Sequence, residues 1–224
     1  MQITFYGHAS LGIKIAETHI LVDPFISGNP LASHIDVDTL KADYILVTHA
    51  HQDHILDVES IAKRTGAIVV SNYEIATHYG NLGIKNHPMN HGGSWKFDFG
   101  KVKYVTAVHT SSFPDGSYGG QPGGFVIEAD KTIYIAGDTA LTYDMRLIGR
   151  RFDLDLAILP IGDNFTMGVD DAIQACRFLD CERALGYHYD TFDYIKIDKA
   201  QAKARFDSKL RSLKLLEIGA SMEV

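Results

Sequence analysis

With 224 residues, 46% hydrophobic and 22% charged, the chain carries enough apolar side chain to bury a core without disulfides or a structural metal, which sets aside disordered and cystine-stapled classes. Its 21 Lys and Arg stand against 28 Asp and Glu, a net charge of −7 with both signs interspersed, so there is no basic block to bind nucleic acid. No stretch holds ~18 consecutive apolar residues and no basic-then-apolar leader opens the chain, so a membrane partner is not expected and the reading is cytoplasmic.

In chain order, residues 2–6, 11–16 and 19–22 alternate or cluster apolar side chains between Gly7, Gly12 and Asp23-Pro24, the pattern of a hairpin or meander. Residues 43–48 read as a buried strand, and Leu56 to Thr65 as a helix stopped by Gly66. A strand at 68–71 and a short helix at 72–79 follow. The second half reads as strands near 101–108, 124–129, 132–136 and 154–159, a helix near 169–179 and a strand near 183–187. A helix near 198–212 and a last strand near 214–218 close the chain. Residues 111–124, rich in Gly and Ser with Pro114 and Pro122, read as an exposed loop or lid. Strands in runs with helices interspersed favour a layered α/β sandwich with outer helices over a doubly wound sheet. With no linker visible, residues 1–224 read as one domain. Cys176 and Cys181 are too far apart for a C-x-x-C motif and read as ordinary thiols.

The chemistry concentrates in His49-Ala50-His51-Gln52-Asp53-His54, where three of eleven histidines and an aspartate fall within six residues. A polar loop with a helix cap at Asp53 would account for one of these groups, but not for all of them. In extended chain His49 and His51 point to one side, and Asp53 and His54 sit where the chain turns into a helix. Imidazole and carboxylate are the usual ligands of catalytic zinc, and such mixed sets also suit manganese, iron, cobalt or nickel. His109, Asp138 and His188 each follow a strand at its carboxyl end, where α/β sheets build their sites. Singly, each would pass for an ordinary surface polar residue.

These residues resemble the metallo-β-lactamase superfamily pattern, His-x-His-x-Asp-His followed by a distant His, a distant Asp and a final His. The resemblance extends from Gly7-His8-Ala9-Ser10 and Leu21-Val22-Asp23-Pro24-Phe25 to Gly186-Tyr187-His188. Within the superfamily the chain resembles the small metal-dependent hydrolases related to the ascorbate-phosphate lactonase group. The resemblance implies a four-layer αββα sandwich and two divalent metal ions per chain, zinc foremost. It implies His49, His51 and His109 on the first ion, Asp53, His54 and His188 on the second, and Asp138 between them. Secreted β-lactamases carry cysteine at a second-metal position; here no cysteine lies near any motif, so antibiotic hydrolysis is not the expected role.

The chemistry expected is hydrolysis of a small-molecule lactone, ester or related substrate by water that the metals acidify to a pKa of about 7, as a metal-bridging hydroxide. Asp53 and His8 are the catalytic candidates: Asp53 as a carboxylate able to relay a proton, His8 as a substrate contact, a support or a structural hydrogen bond. Asp23 is placed to accept the outer N–H of a ligand histidine. Asp163, Asn164, Thr166 and Met167 are candidates for lining the pocket. His34 and His91 sit in loops that could fold over the site, whereas His19, His78 and His87 read as surface residues. A phosphodiesterase or nuclease, a non-catalytic metal-binding sensor and a di-iron redox protein remain alternatives. Homo-oligomerisation stays open.

Overall fold

The computed structural model describes residues 1–224. The first half supplies strands β1 (Gln2–Gly7), β2 (Ser10–Ile15), β3 (Thr18–Val22), β4 (Tyr44–Leu46), β5 (Ile68–Asn72) and β6 (Asn86–Met89), with helices α1 (Gln52–Ile55), α2 (Val58–Thr65) and α3 (Tyr73–Asn81). The second half supplies β7 (Ser94–Phe97), β8 (Gly100–Thr106), β9 (Gly123–Glu128), β10 (Thr132–Ile135), β11 (Leu156–Pro160), β12 (Arg183–Tyr187) and β13 (Ser212–Lys214), with α4 (Met145–Arg151), α5 (Val169–Phe178) and α6 (Lys199–Asp207). The final strand β14 (Ser221–Glu223) returns to the first sheet beside β1. The two sheets run β14-β1-β2-β3-β4-β5-β6 and β13-β12-β11-β10-β9-β8-β7. Both are mixed: antiparallel at β1–β3 and β7–β10, parallel at β3–β6 and β10–β13.

The layers follow from which faces are apolar. Alternate residues of β1 and β2, such as Ile3, Phe5, Leu11 and Ile13, meet Tyr104, Phe125, Ile127 and Ile158 of the other sheet in a central core. The outer face of the first sheet packs Ile45, Val47 and Val69 against Ile55, Ile61 and Ile75 of the helices. The second sheet packs Val126, Tyr134, Ala157 and Leu159 against Ile148, Ile173 and Phe206. Strands β9 and β11 are buried along nearly their whole length because both faces are covered. This is the expected αββα sandwich. No helix is long and apolar enough to cross a membrane.

Several expected elements have other limits. The helix expected over Leu56–Thr65 begins at Val58 as α2; an unexpected single turn, α1, precedes it and ends at Ile55, and the buried Asp57 separates the two. The Asp57 carboxylate accepts the backbone N–H groups of Ile26 (2.6 Å) and Ser27 (2.9 Å), tying the break to the loop after β3. The C-terminal helix stops at Asp207, and the strand expected at 214–218 lies at Ser212–Lys214. After it the chain crosses to the other sheet, where Gly219 N–H donates to the Phe5 carbonyl (2.7 Å). Residues 111–124 form an exposed loop only at their tip. Phe113 is buried and stacks on His78 (4.1 Å), and the Ser111 hydroxyl accepts the Ala50 N–H (3.1 Å).

Candidate metal centre

The site lies where strands of both sheets end. Thr48 to His51 follow β4, Asp53 and His54 open α1, and His109, Asp138 and His188 follow β8, β10 and β12. His8 follows β1 and Asp23 follows β3. At three of these turns a non-glycine residue holds a left-handed backbone: His8 (φ 54°), Asp23 (φ 43°) and His188 (φ 55°). Such conformations are uncommon outside glycine and gather at functional sites. They turn side chains back over the sheet ends, and the His188 N–H donates to the His8 carbonyl (2.7 Å), which ties the two turns together. Gly137 (φ 67°) makes the equivalent turn ahead of Asp138; a Cβ there would lie 2.6 Å from the Gly123 carbonyl oxygen.

One buried aspartate aims two rings. Asp23 accepts the Thr48 N–H (2.8 Å) and Thr48 hydroxyl (2.6 Å) and lies 2.9 Å from His54 Nδ1. Because the Thr48 hydroxyl donates to Asp23, it is left to accept from His49 Nδ1 at 3.0 Å. Both rings therefore carry the proton on Nδ1 and present Nε2 to the centre. His49 Nε2 lies 3.0 Å from His51 Nδ1, a separation at which two ring nitrogens share a proton or a cation. Asp23, His49 and His54 also have donor atoms close enough to hold an ion. Both Asp23 oxygens are engaged, however, so Asp23 acts as a support.

Two donor clusters remain. His49, His51 and His109 form one; His54, Asp53 and His188, together with His8, form the other. Asp138 lies between them, its Oδ2 2.9 Å from His188 Nε2, 3.4 Å from His54 Nε2 and 3.6 Å from His109 Nε2. The His188 contact lacks hydrogen-bond alignment. His54 Nε2, both His188 ring nitrogens and Asp138 Oδ1 are buried without a hydrogen-bond partner. Buried polar atoms are almost always paired. Four unpaired atoms of metal-ligating type, carried by His54 on α1 and by Asp138 and His188 on two separate loops, fit a divalent cation centre.

The electrostatics agree. Burial opposes a charge on His54, yet Asp138 and Asp23 hold its pKa well above the usual imidazole value. Burial also opposes ionisation of Asp138, but His188 and His54 keep it well below the usual carboxylate range. Burial, reinforced by His54, pushes His49 well below the imidazole range. His8 is lowered to about 4, by burial first and then by His188, although Asp53 opposes the shift. Neutral His8 can donate from Nε2 to Asp53 Oδ2 (3.0 Å) while Nδ1 accepts from the Thr191 hydroxyl (3.0 Å). Although burial opposes its ionisation, His8 and His54 hold the Asp53 carboxyl far below its ordinary value.

All seven residues read as metal ligands thus face one centre, with His8 and Asp23 against them. The pocket loop is different. Met167 is buried in the core of the second sheet, and Asp163 and Asn164 point to solvent; Phe165 lines the cavity over the centre instead. His34 lies by the Ile218 carbonyl (3.3 Å) and His91 by the Pro122 carbonyl (2.9 Å), and neither joins a ligand cluster. Sequence reasoning missed Thr48 and Thr191, whose hydroxyls aim ligand-side histidines. It also missed Phe25, Phe192 and Tyr194 on the cavity wall. Their signal was aromatic residues in loops next to the histidine turns.

Comparison with known proteins identifies the family. The model of a family described as a Beta-lactamase superfamily domain matches residues 18–189. A UPF0173 metal-dependent hydrolase of Flavobacterium johnsoniae is 65% identical over 225 residues, covering 100% of both chains. One from Christiangramia forsetii is 65% identical over 226 residues, also covering 100% of both. The solved structure of a metallo hydrolase from the archaeon Ignicoccus hospitalis is 32% identical with a TM-score of 0.90, covering 100% of this chain and 98% of that one.

Proposed function

Because the chain belongs to the β-lactamase superfamily, among its UPF0173 metal-dependent hydrolases, we propose that it holds two divalent ions, zinc foremost, and hydrolyses a small-molecule lactone, carboxylic ester or related substrate. The observation that carries this reading is the Asp138 carboxylate set between two histidine clusters, with unpaired buried donor atoms around it. His49, His51 and His109 would hold one ion, Asp53, His54 and His188 the other, and Asp138 both. When bound, such ions acidify water to near neutrality and polarise the oxygen of the attacked group.

The chain's own residues do the rest. Asp53 reaches the cavity wall, and its side chain is 28% exposed, so it can take a proton from the attacking water and return one to the leaving oxygen. His8 holds Asp53 Oδ2 in place and, neutral at pH 7, adds no charge to repel the cations. Asp23 and Thr48 keep the Nε2 atoms of His49 and His54 directed at the centre. No protein nucleophile is required.

The test is hydrolysis by metal-loaded protein across matched lactones, simple esters and phosphodiesters, with His51→Ala and Asp53→Ala alongside. Turnover of lactones or esters, lost in both folded variants, is expected. Full activity in a metal-depleted variant would refute the proposal, and turnover confined to phosphodiesters would move the reading to that class.

A further inference from the structure

The cavity above the centre has a volume of about 1080 Å³, just above the usual range for small-molecule sites, and its floor is His51, Asp53, His109, Asp138 and His188. The apolar part of the wall is Phe25, Leu56, Phe165, Phe192 and Tyr194, with Phe25 and Phe192 neighbours at 6.5 Å between ring centroids. Leu56 (39%), Phe165 (51%), Phe192 (38%) and Tyr194 (76%) leave much of their surface to solvent. Exposed apolar side chains scattered singly need no explanation, but several round one concave mouth mark a binding surface.

The aromatic groups are fixed relative to the floor. Phe165 sits on the turn after β11, where Asp163 N–H donates to the Met167 carbonyl (3.1 Å) and Met167 N–H to the Thr139 carbonyl (3.0 Å), next to Asp138. Phe192 and Tyr194 follow His188, on a segment held by the Thr191 contact to His8 and by Ile197 N–H on the Asp190 carboxylate (3.1 Å). Phe165 and Tyr194 meet edge to face across the mouth, with centroids 6.1 Å apart, and Phe192 packs on His8 at 5.3 Å.

Charge completes the argument. No lysine or arginine lines the cavity, and its carboxylates are Asp53, Asp138 and Asp193. The lysines just beyond the wall are paired, Lys196 with Asp193 (2.7 Å) and Lys199 with Asp190 (3.1 Å). With Asp53 and Asp138 committed to the ions and Asp193 paired with Lys196, the aromatic wall itself offers an anionic tail no unpaired cation and would strip its water without replacing it.

We propose that Phe165, Phe192 and Tyr194 form an aromatic clamp that selects uncharged lactones or esters bearing an apolar substituent next to the reacting carbonyl. This rests on the hydrolase reading for the reaction, but binding to the clamp can be measured without turnover.

The test uses metal-loaded protein and a lactone series whose ring substituent runs from methyl to octyl, with a carboxylate-ended chain as the charged match. For the wild type, kcat/KM should rise with chain length, by up to about fourfold per buried methylene, and the charged match should be at least tenfold poorer. In Phe165→Ala/Tyr194→Ala, both removed side chains being solvent-exposed, the chain-length dependence should flatten, mainly through KM, with metal content unchanged. Calorimetric binding of the octyl ring ether, which has no scissile carbonyl, should weaken about tenfold in the same variant. Ether binding that weakens in a protein that hydrolyses neither lactones nor esters would support the clamp and refute the proposed substrate class. Preference for the charged match, or ether binding and chain-length dependence equal in wild type and variant, would overturn the clamp.

Discussion

Replacing Asp23 by Asn tests how the centre is aimed, because the substitution keeps the volume and removes the charge. The wild-type carboxylate is fully buried and accepts from Thr48 N–H, from the Thr48 hydroxyl and from His54 Nδ1. An amide can satisfy the Thr48 N–H with its oxygen, but its NH2 then faces two groups that were both donating. At least one hydrogen bond to a charged group is lost, worth about 1.5–3 kcal/mol in the metal-free fold. Losing an outer partner of a ligand histidine typically lowers metal affinity or activity by about 10–100-fold. The weaker effect should fall on the ion held by His49, which Asp23 reaches only through Thr48, and the stronger on the ion held by His54. Chelator competition measures both affinities, and the His54 ring signals in NMR report its protonation. Unchanged affinity for both equivalents, with His54 titrating as in the wild type, would refute the reasoning.

The metal-free protein should bind its metals more tightly as pH rises through neutrality. His54 holds a proton there because its pKa lies well above 6.5, and a cation must displace that proton; calorimetry in buffers of different ionisation enthalpy should show proton release, and none would contradict the assignment. The same raised pKa stabilises the metal-free fold fully below the unfolded value of 6.5 and is lost as pH rises through the folded value, whereas the depressed Asp138 pKa contributes above 3.8 and is lost as pH falls through its folded value. Denaturant titrations of chelated protein across pH should show both flanks. His8→Ala should lower kcat by about 10–100-fold through a loosened Asp53 while both metals remain bound; loss of the metals would make His8 a ligand instead. Gly137→Ala should destabilise the fold by about 1–2 kcal/mol from the left-handed backbone alone, about 2–8 °C in Tm for a chain of this size, and a thermal melt unchanged from wild type would show that the turn tolerates a Cβ.

The buried strands and the residues around the centre were legible because they obey short-range rules. β9 to β12 are apolar runs between turn residues, and His49, His51, Asp53 and His54 stand in one hexapeptide. His109, Asp138 and His188 were legible by place, each one or a few residues past a strand. The elements missed were α1, β6, β7, α4 and β14. β7 is an edge strand whose Ser94, Trp95 and Lys96 are all exposed, so no alternation marks it. β6 is an edge strand carrying Pro88. α4 contains Gly149, a weak helix former, kept where a Cβ would lie 2.5 Å from the Leu179 backbone. The aromatic wall escaped because contacts between Phe165 and Tyr194 depend on two loops meeting, which no local pattern encodes.

Native mass spectrometry of the zinc-reconstituted protein counts the ions directly. The account predicts two per chain, the second lost first as chelator is raised in Asp138→Asn; a single ion in the wild type, or two held equally well without the Asp138 carboxylate, would contradict a centre built around that residue.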